Sequence, residues 1–409
     1  MHLHIRNFLL LLFLLISGYI YPQTANEYYS KGVLKMAGDN FNEAAALFSN
    51  AIEIVPHFDE ALYERGRCYY YLQRYKDAIN DFNSAINYNP DFPDAYYYRG
   101  LSYGAMSEIK SALENYNKVL KIDPEHIQSL LKRSEIHIQN SKLDEALEDL
   151  SKAIAVGHEN PNVLFIRGNI YHKMGLIDDA IEDFTKAAVM DSRHANLQHN
   201  LGLVYHETGN YEEAIKHYSA AIKLGIENAE IFDRRADCYL NTEEYLSAVD
   251  DYTTLINNYR QRNEERHFQR GYAYFQAKEW NAAIRDFNRV ISYNMHNEEA
   301  YIYRAEAYIH IGRDSQAMSD YRFVLRINPN NAMVYERRGI MFLEAGRIND
   351  ALDNLDQAIK LQPSAKAYYY RAAIKDTQGD KRAACDDLKK AAEMGHELSI
   401  DRYNSYCLH

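Results

Sequence analysis

Alanine returns every 34 residues through most of this chain, and that recurrence constrains the fold more than any other feature. Ala44, Ala78, Ala112, Ala146, Ala180, Ala214 and Ala248 are evenly spaced. One extra residue precedes Ala283, Ala317 and Ala351 follow at the old interval, and one residue is lost before Ala384. Four positions after each alanine stands a large apolar residue: Phe48, Phe82, Tyr116, Leu150, Phe184, Tyr218, Tyr252, Phe287, Tyr321, Leu355 and Leu388. Twelve positions before each stands a small one: Gly32, Gly66, Gly100, Ser134, Gly168, Gly202, Ala236, Gly271, Ala305, Gly339 and Ala372. Aromatics such as Tyr69, Tyr103, Tyr171 and Tyr205 follow the small residue by three. Offsets of three, four and seven share one helix face. Each repeat therefore reads as two helices meeting small face to small face. Prolines punctuate the pattern. Pro56, Pro90, Pro124, Pro329 and Pro363 end second helices, while Pro93 and Pro161 open first helices, where a missing amide proton costs nothing.

These residues resemble the tetratricopeptide repeat, a helix–turn–helix unit of 34 residues. The match is weaker only at position 4 of the unit, usually tryptophan or leucine. The resemblance implies an all-α fold, a right-handed superhelical solenoid of eleven helix-turn-helix units with a C-terminal capping helix. The units fall at 25–58, 59–92, 93–126, 127–160, 161–194, 195–228, 229–263, 264–297, 298–331, 332–364 and 365–396, with a capping helix and tail at 397–409. It further implies that the first helices line a concave groove that holds peptides or partner helices.

Family resemblance places ligand contacts at positions 2, 5, 9, 12 and 13 of each unit. Position 5 is Tyr29, Tyr63 and Tyr97 in the early units, with Tyr70 and Tyr71 beside them, and unit eight offers Phe268, Tyr272 and Phe275. Such rings suit peptide recognition and suit packing between units equally. Position 5 is never lysine and position 9 is asparagine only at Asn169, so the set that clamps a C-terminal carboxylate in some family members is missing. The middle of the groove carries His172, His199 and His206, followed by Asp233 and Asp237. These read either as a polar groove wall or as groups able to titrate or bind metal. No compact ligand spacing appears, so neither metal nor cofactor is assigned.

Position 7 is arginine in nine units: Arg65, Arg99, Arg133, Arg167, Arg235, Arg270, Arg304, Arg338 and Arg371. Position 23 in those units is always aspartate or asparagine, from Asp81 and Asn115 to Asn354 and Asp387. The two units without arginine carry Lys31 with Leu47 and Leu201 with His217. This co-occurrence predicts contact between the two helices of a unit, with guanidinium on carboxylate.

Residues 1–24 read as a signal peptide: Arg6 is the one cation, and Phe8 to Ile16 is an apolar run too short to span a bilayer. The expected location is therefore exported, periplasmic or secreted, with no stable membrane insertion after cleavage. Export would permit a disulfide between Cys385 and Cys407, which an antiparallel cap with Leu398, Ile400 and Tyr403 against the last hairpin brings near each other. Cys68 and Cys238 share position 10 and read as buried thiols. A formal net charge of −12 excludes a nonspecific nucleic-acid binder. No phosphate loop, nucleophile elbow or metalloprotease helix occurs, so no catalytic residue is assigned. The expected function is a non-catalytic scaffold for protein or peptide partners. The alternatives are a self-assembling array or an accessory subunit of an exported enzyme or envelope complex. Oligomeric state is not legible.

Overall fold

The computed structural model describes residues 24–408. The expected signal peptide lies outside the described residues, apart from Thr24. Among the described residues there are 23 α-helices, no strand, and no helix long and apolar enough to cross a membrane. They fall into two compact bodies. The body ending at Ser192 holds α1 (Ala25–Ala37), α2 (Phe41–Ile54), α3 (Asp59–Tyr71), α4 (Tyr75–Tyr88), α5 (Pro93–Ala105), α6 (Ile109–Ile122), α7 (Ile127–Gln139), α8 (Leu143–Ala155), α9 (Pro161–Lys173) and α10 (Ile177–Met190). The body beginning at Arg193 holds α11 (Ala195–Glu207), α12 (Tyr211–Lys223), α13 (Ala229–Asn241), α14 (Tyr245–Asn257), α15 (Glu264–Gln276), α16 (Trp280–Tyr293), α17 (Glu298–His310), α18 (Asp314–Ile327), α19 (Ala332–Glu344), α20 (Ile348–Leu361), α21 (Ala365–Thr377), α22 (Lys381–Glu393) and α23 (Glu397–Arg402).

Local chemistry sets the helix ends. Thr24 makes a capping box with Glu27, and Asn228, Asn263, Asn297, Asn331 and Ser364 each accept a backbone N–H from the first turn of the helix they open. The turn between the helices of every hairpin passes through a residue of positive φ. Glycine supplies it at Gly175, Gly209, Gly312, Gly346 and Gly379, whereas Asp39, Gln73, Ser107, Ser141, Glu243 and Lys278 take it with a side chain. Each of those six costs on the order of 1 kcal/mol.

Each hairpin closes around one glycine or small residue. A Cβ added to Gly66 would stand 2.7 Å from the Phe82 ring, and one on Gly168 would stand 2.7 Å from Phe184. The aromatic thus fills the space that the missing side chain leaves. Each even-numbered helix then packs on the next odd one within its body, and neighbouring odd helices also touch, as α1 with α3 and α11 with α13. The odd helices therefore line one side of each stack.

Eight of the nine position-7 arginines bind their position-23 partner. Arg65, Arg133, Arg167, Arg235, Arg270, Arg304 and Arg371 each donate Nε and Nη2 to the two oxygens of an aspartate, as in Arg235 to Asp251 at 2.8 and 2.7 Å. Arg99 donates Nε to Asn115 at 2.7 Å. The same eight arginines turn Nη1 to position 25 of the preceding hairpin, where Ser49, Asn83, Asn117, Ser151, Ser219, Thr253, Asn288 and Asp356 accept. One guanidinium therefore ties both helices of its hairpin and the hairpin before it. The ninth, Arg338, does neither. Arg322 occupies its position-25 site, and among the described residues neither the buried Nε of Arg338 nor the Oδ1 of Asn354 has a partner. Burial and then the nearby Arg322 charge pull the Arg338 guanidinium below its ordinary pKa.

The hairpin of α11 and α12 substitutes a different bond. Leu201 stands where arginine would, and the His217 ring bonds Gln198 Oε1 at 2.7 Å while stacking on Tyr205. At the C-terminus, the cap differs from the apolar cover expected. Leu398 and Ile400 are exposed, and Ser399 is the buried face of α23. Polar ties hold the tail instead: Arg402 donates to Asp376 at 2.6 Å, and the Tyr406 hydroxyl donates to the same carboxylate. A disulfide joins Cys385 to Cys407 with Cα atoms 5.6 Å apart. Burial pushes the Cys68 and Cys238 thiols up to about 12, so both are inert at neutral pH.

Two outcomes follow from the pairs. Burial lifts the Asp251 carboxyl above its usual range despite the arginine beside it, so desolvation is not fully recovered by the pair. Arg235→Leu, which strands Asp251, is expected to cost about 3 kcal/mol in chemical denaturation, and Arg235→Leu with Asp251→Leu to lose less than half as much. Burial depresses the His217 pKa, with Lys216 adding to the effect and Glu213 opposing it. Its neutral form therefore stabilises fully above the unfolded value of about 6.5, and that contribution is lost as pH falls through the folded value. The denaturation midpoint of the parent should drop more than that of His217→Gln between about pH 7.5 and about pH 5.5.

Candidate partner-binding groove

The groove-side residues proposed from sequence lie on odd helices, and geometry separates them into packing and accessible groups. Tyr63 is a correction. It is buried, with its ring against Phe82, Phe92 and Tyr98, so it joins neighbouring hairpins and cannot meet a guest. Its neighbours Phe92 and Tyr98 are bulky enough to close over it, and burial raises its hydroxyl pKa beyond the ordinary tyrosine range. Tyr29 and Tyr97 are half-buried, Tyr29 between Phe48 and Phe58 and Tyr97 beside Tyr98, Tyr116 and His126. Phe268 and Tyr272 are half-buried and both lean on Tyr303 of the next hairpin. Asn169 and His172 are half-buried on α9.

In the first body the groove side opens into a cavity of about 530 Å³ lined by Val33, Met36, Phe41, Glu64, Arg67 and Tyr71 among others. Tyr71 stacks on Phe41 at 4.9 Å and is substantially exposed. Arg67 binds Glu64 at 2.9 Å, and burial raises the Glu64 carboxyl above its usual range. The cavity is thus of mixed character, with apolar side chains beside one ion pair and the Asp39 carboxylate in its wall. Sequence reasoning named Tyr71 and missed Val33, Met36 and Arg67, although Val33 and Arg67 stand at position 9 and Met36 at position 12.

In the second body a cavity of about 370 Å³ collects His206, Glu230, Asp233, Arg234, Asp237, Tyr252 and Gln269. Three of the residues singled out in the sequence meet here. His206 Nε2 lies 2.8 Å from Asp237 Oδ2, joining α11 to α13. Asp233 accepts from both terminal nitrogens of Arg266, and Glu230 accepts from Arg234 Nε at 2.9 Å. Two carboxylates are thereby neutralised by arginines. Among the described residues the Asp237 carboxylate, about half exposed, is bonded only by the imidazole. His199 stays outside this cluster, its Nδ1 at 3.3 Å from Asn200 and its ring against Tyr218. Among the described residues, no group of three or more histidine, cysteine or carboxylate side chains is arranged to hold a metal ion. Sequence reasoning missed Glu230, Arg234 and Gln269; Glu230 stands at position 2, and its spacing of four to Arg234 was the available signal.

Family profiles agree with this architecture. Family profiles described as "TPR repeat" match residues 66–107 and 134–175, and profiles described as "Tetratricopeptide repeat" match 29–85, 93–126, 161–224, 268–332 and 337–395. Together these stretches span most of the chain. No curated protein matches. Among solved structures, a tetratricopeptide repeat protein from Parabacteroides merdae is 21% identical with a TM-score of 0.37, covering 68% of this chain and 97% of its own. A Naa15/Naa10 structure bound to HypK-THB is 11% identical with a TM-score of 0.45, covering 89% of this chain and 68% of its own. The pilF protein of Pseudomonas aeruginosa is 19% identical with a TM-score of 0.40, covering 50% of this chain and 92% of its own.

Proposed function

The chain belongs to the tetratricopeptide repeat family, whose fold serves protein–protein interaction, and from that premise we propose that it is an exported, non-catalytic scaffold whose groove side holds a peptide segment carrying a basic side chain. The observation that carries this reading is Asp237. It is an accessible carboxylate at the edge of a cavity of about 370 Å³, with Gln269 as a further polar partner and, among the described residues, no lysine or arginine bonded to it. A lysine or arginine of a guest supplies the missing donor and gains a charge-assisted bond. Tyr272 and Phe268 extend the surface with rigid, amphipathic rings, which bind at low entropic cost. A preformed wall of helices leaves the guest to bear most of the ordering.

Two features support export. The apolar run from Phe8 to Ile16 follows a single cation. The Cys385–Cys407 disulfide persists only where thiols are not kept reduced.

A photo-crosslinking residue at Gln269 in the native host is expected to trap guest segments rich in lysine or arginine, whereas one at Glu148 on α8 should trap few. Asp237→Asn should cut the Gln269 yield about tenfold, the effect of one charge-assisted bond. Equal capture from both positions, or a yield indifferent to Asp237, contradicts the reading.

A further inference from the structure

The second body contains another cavity, of about 540 Å³, on the opposite side of the first helices. Its wall uses α15 through His267, Arg270 and Tyr274, whereas the groove cavity uses Glu230, Asp233 and Asp237 of α13. In the register of the repeat these two sets occupy opposite faces of a helix.

The inner wall of this cavity is self-satisfied. Asp286 Oδ2 accepts from Arg270 Nε at 2.7 Å, and Oδ1 accepts from Arg270 Nη2 at 2.8 Å and faces His267 Nδ1 at 2.9 Å. Its negative charge is therefore fully used. The outer wall is not. The side chains of Arg262, Arg285 and Arg289 are exposed and make no ion pair or hydrogen bond among the described residues, and Asp286 is the sole carboxylate in the lining. Asn257 and Tyr293 add neutral donors.

The other hairpins show how unusual this wall is. Arg285 and Arg289 stand at positions 22 and 26, one helical turn apart. In two earlier repeats those positions hold Glu148 with Lys152 and Glu182 with Lys186, each pair bonded at 2.7 Å. Here both are cations, an arrangement that repels itself on a helix. Arg262 comes from the connection that carries the extra residue of the unit 229–263, two residues after Arg260 with a φ of 55°. Two separate departures from the repeat therefore converge on one cavity, and both add positive charge to a chain of net charge −12.

We propose that this cavity binds a small polyanion of the pyrophosphate or phosphate-ester class, gripped by Arg262, Arg285 and Arg289. Planar guanidinium groups match oxyanions with paired N–H donors, and a bound anion relieves the repulsion between Arg285 and Arg289. The volume lies in the range of small-molecule sites.

Isothermal titration of the full chain with inorganic pyrophosphate tests this. Saturable one-to-one binding is expected, weakening with added salt. Arg285→Gln with Arg289→Gln should weaken it at least about tenfold, while Asp237→Asn in the groove should leave it unchanged. Both arginines are exposed, so the double variant should melt no lower than the parent without ligand; if it does melt lower, Arg289→Gln alone is read against the same threshold. No saturable heat, equal affinity in the variants, or binding of a phosphoserine peptide without binding of pyrophosphate would overturn the proposal.

Discussion

The structure depends on a single side chain used eight times. Each of these eight arginines spends Nε and, where its partner is aspartate, Nη2 on the second helix of its own hairpin, and Nη1 on the hairpin before it. A helical hairpin cannot bury its apolar face alone and must stack on its neighbours, and the arginine bonds within and between hairpins hold that stacking in register. Apolar packing supplies most of the attraction but little direction. The guanidinium fork supplies direction, because its donors point along fixed lines. Its aspartate partners are nearly fully buried, so the pair fixes geometry more than it adds net stability.

Half of this clamp was legible in the sequence. The match between position 7 and position 23 appears as co-occurrence within one chain, and the absence of both in the unit holding Leu201 and His217 strengthens it. The link to position 25 was not legible. Serine, asparagine, threonine and aspartate all serve there, so no single letter recurs. The Arg338 exception is invisible for the same reason: Arg322 is unremarkable until its place beside a guanidinium is known.

The candidate surfaces were less readable than the fold. Tyr29, Tyr63 and Tyr97 share one position, yet only Tyr63 is buried, because burial there depends on the neighbours Phe92 and Tyr98. The His206–Asp237 bond spans 31 residues and two hairpins, beyond any local periodicity. The arginine-lined cavity needs the extra residue of one unit and the second helix of the next, and neither signals a site alone. Both proposed surfaces thus rest on residues that vary between repeats, while the repeat itself encodes the frame.

The clamp is tested most directly at the one hairpin that carries the arginine and lacks its bonds. Arg322→Ser with Asn354→Asp gives Arg338 both acceptors that the other arginines have. The guanidinium chloride midpoint of this double variant should rise above that of the parent, by about 1 kcal/mol in unfolding free energy. A midpoint equal to or below the parent's would show that the guanidinium bonds accompany the stacking of hairpins and do not direct it.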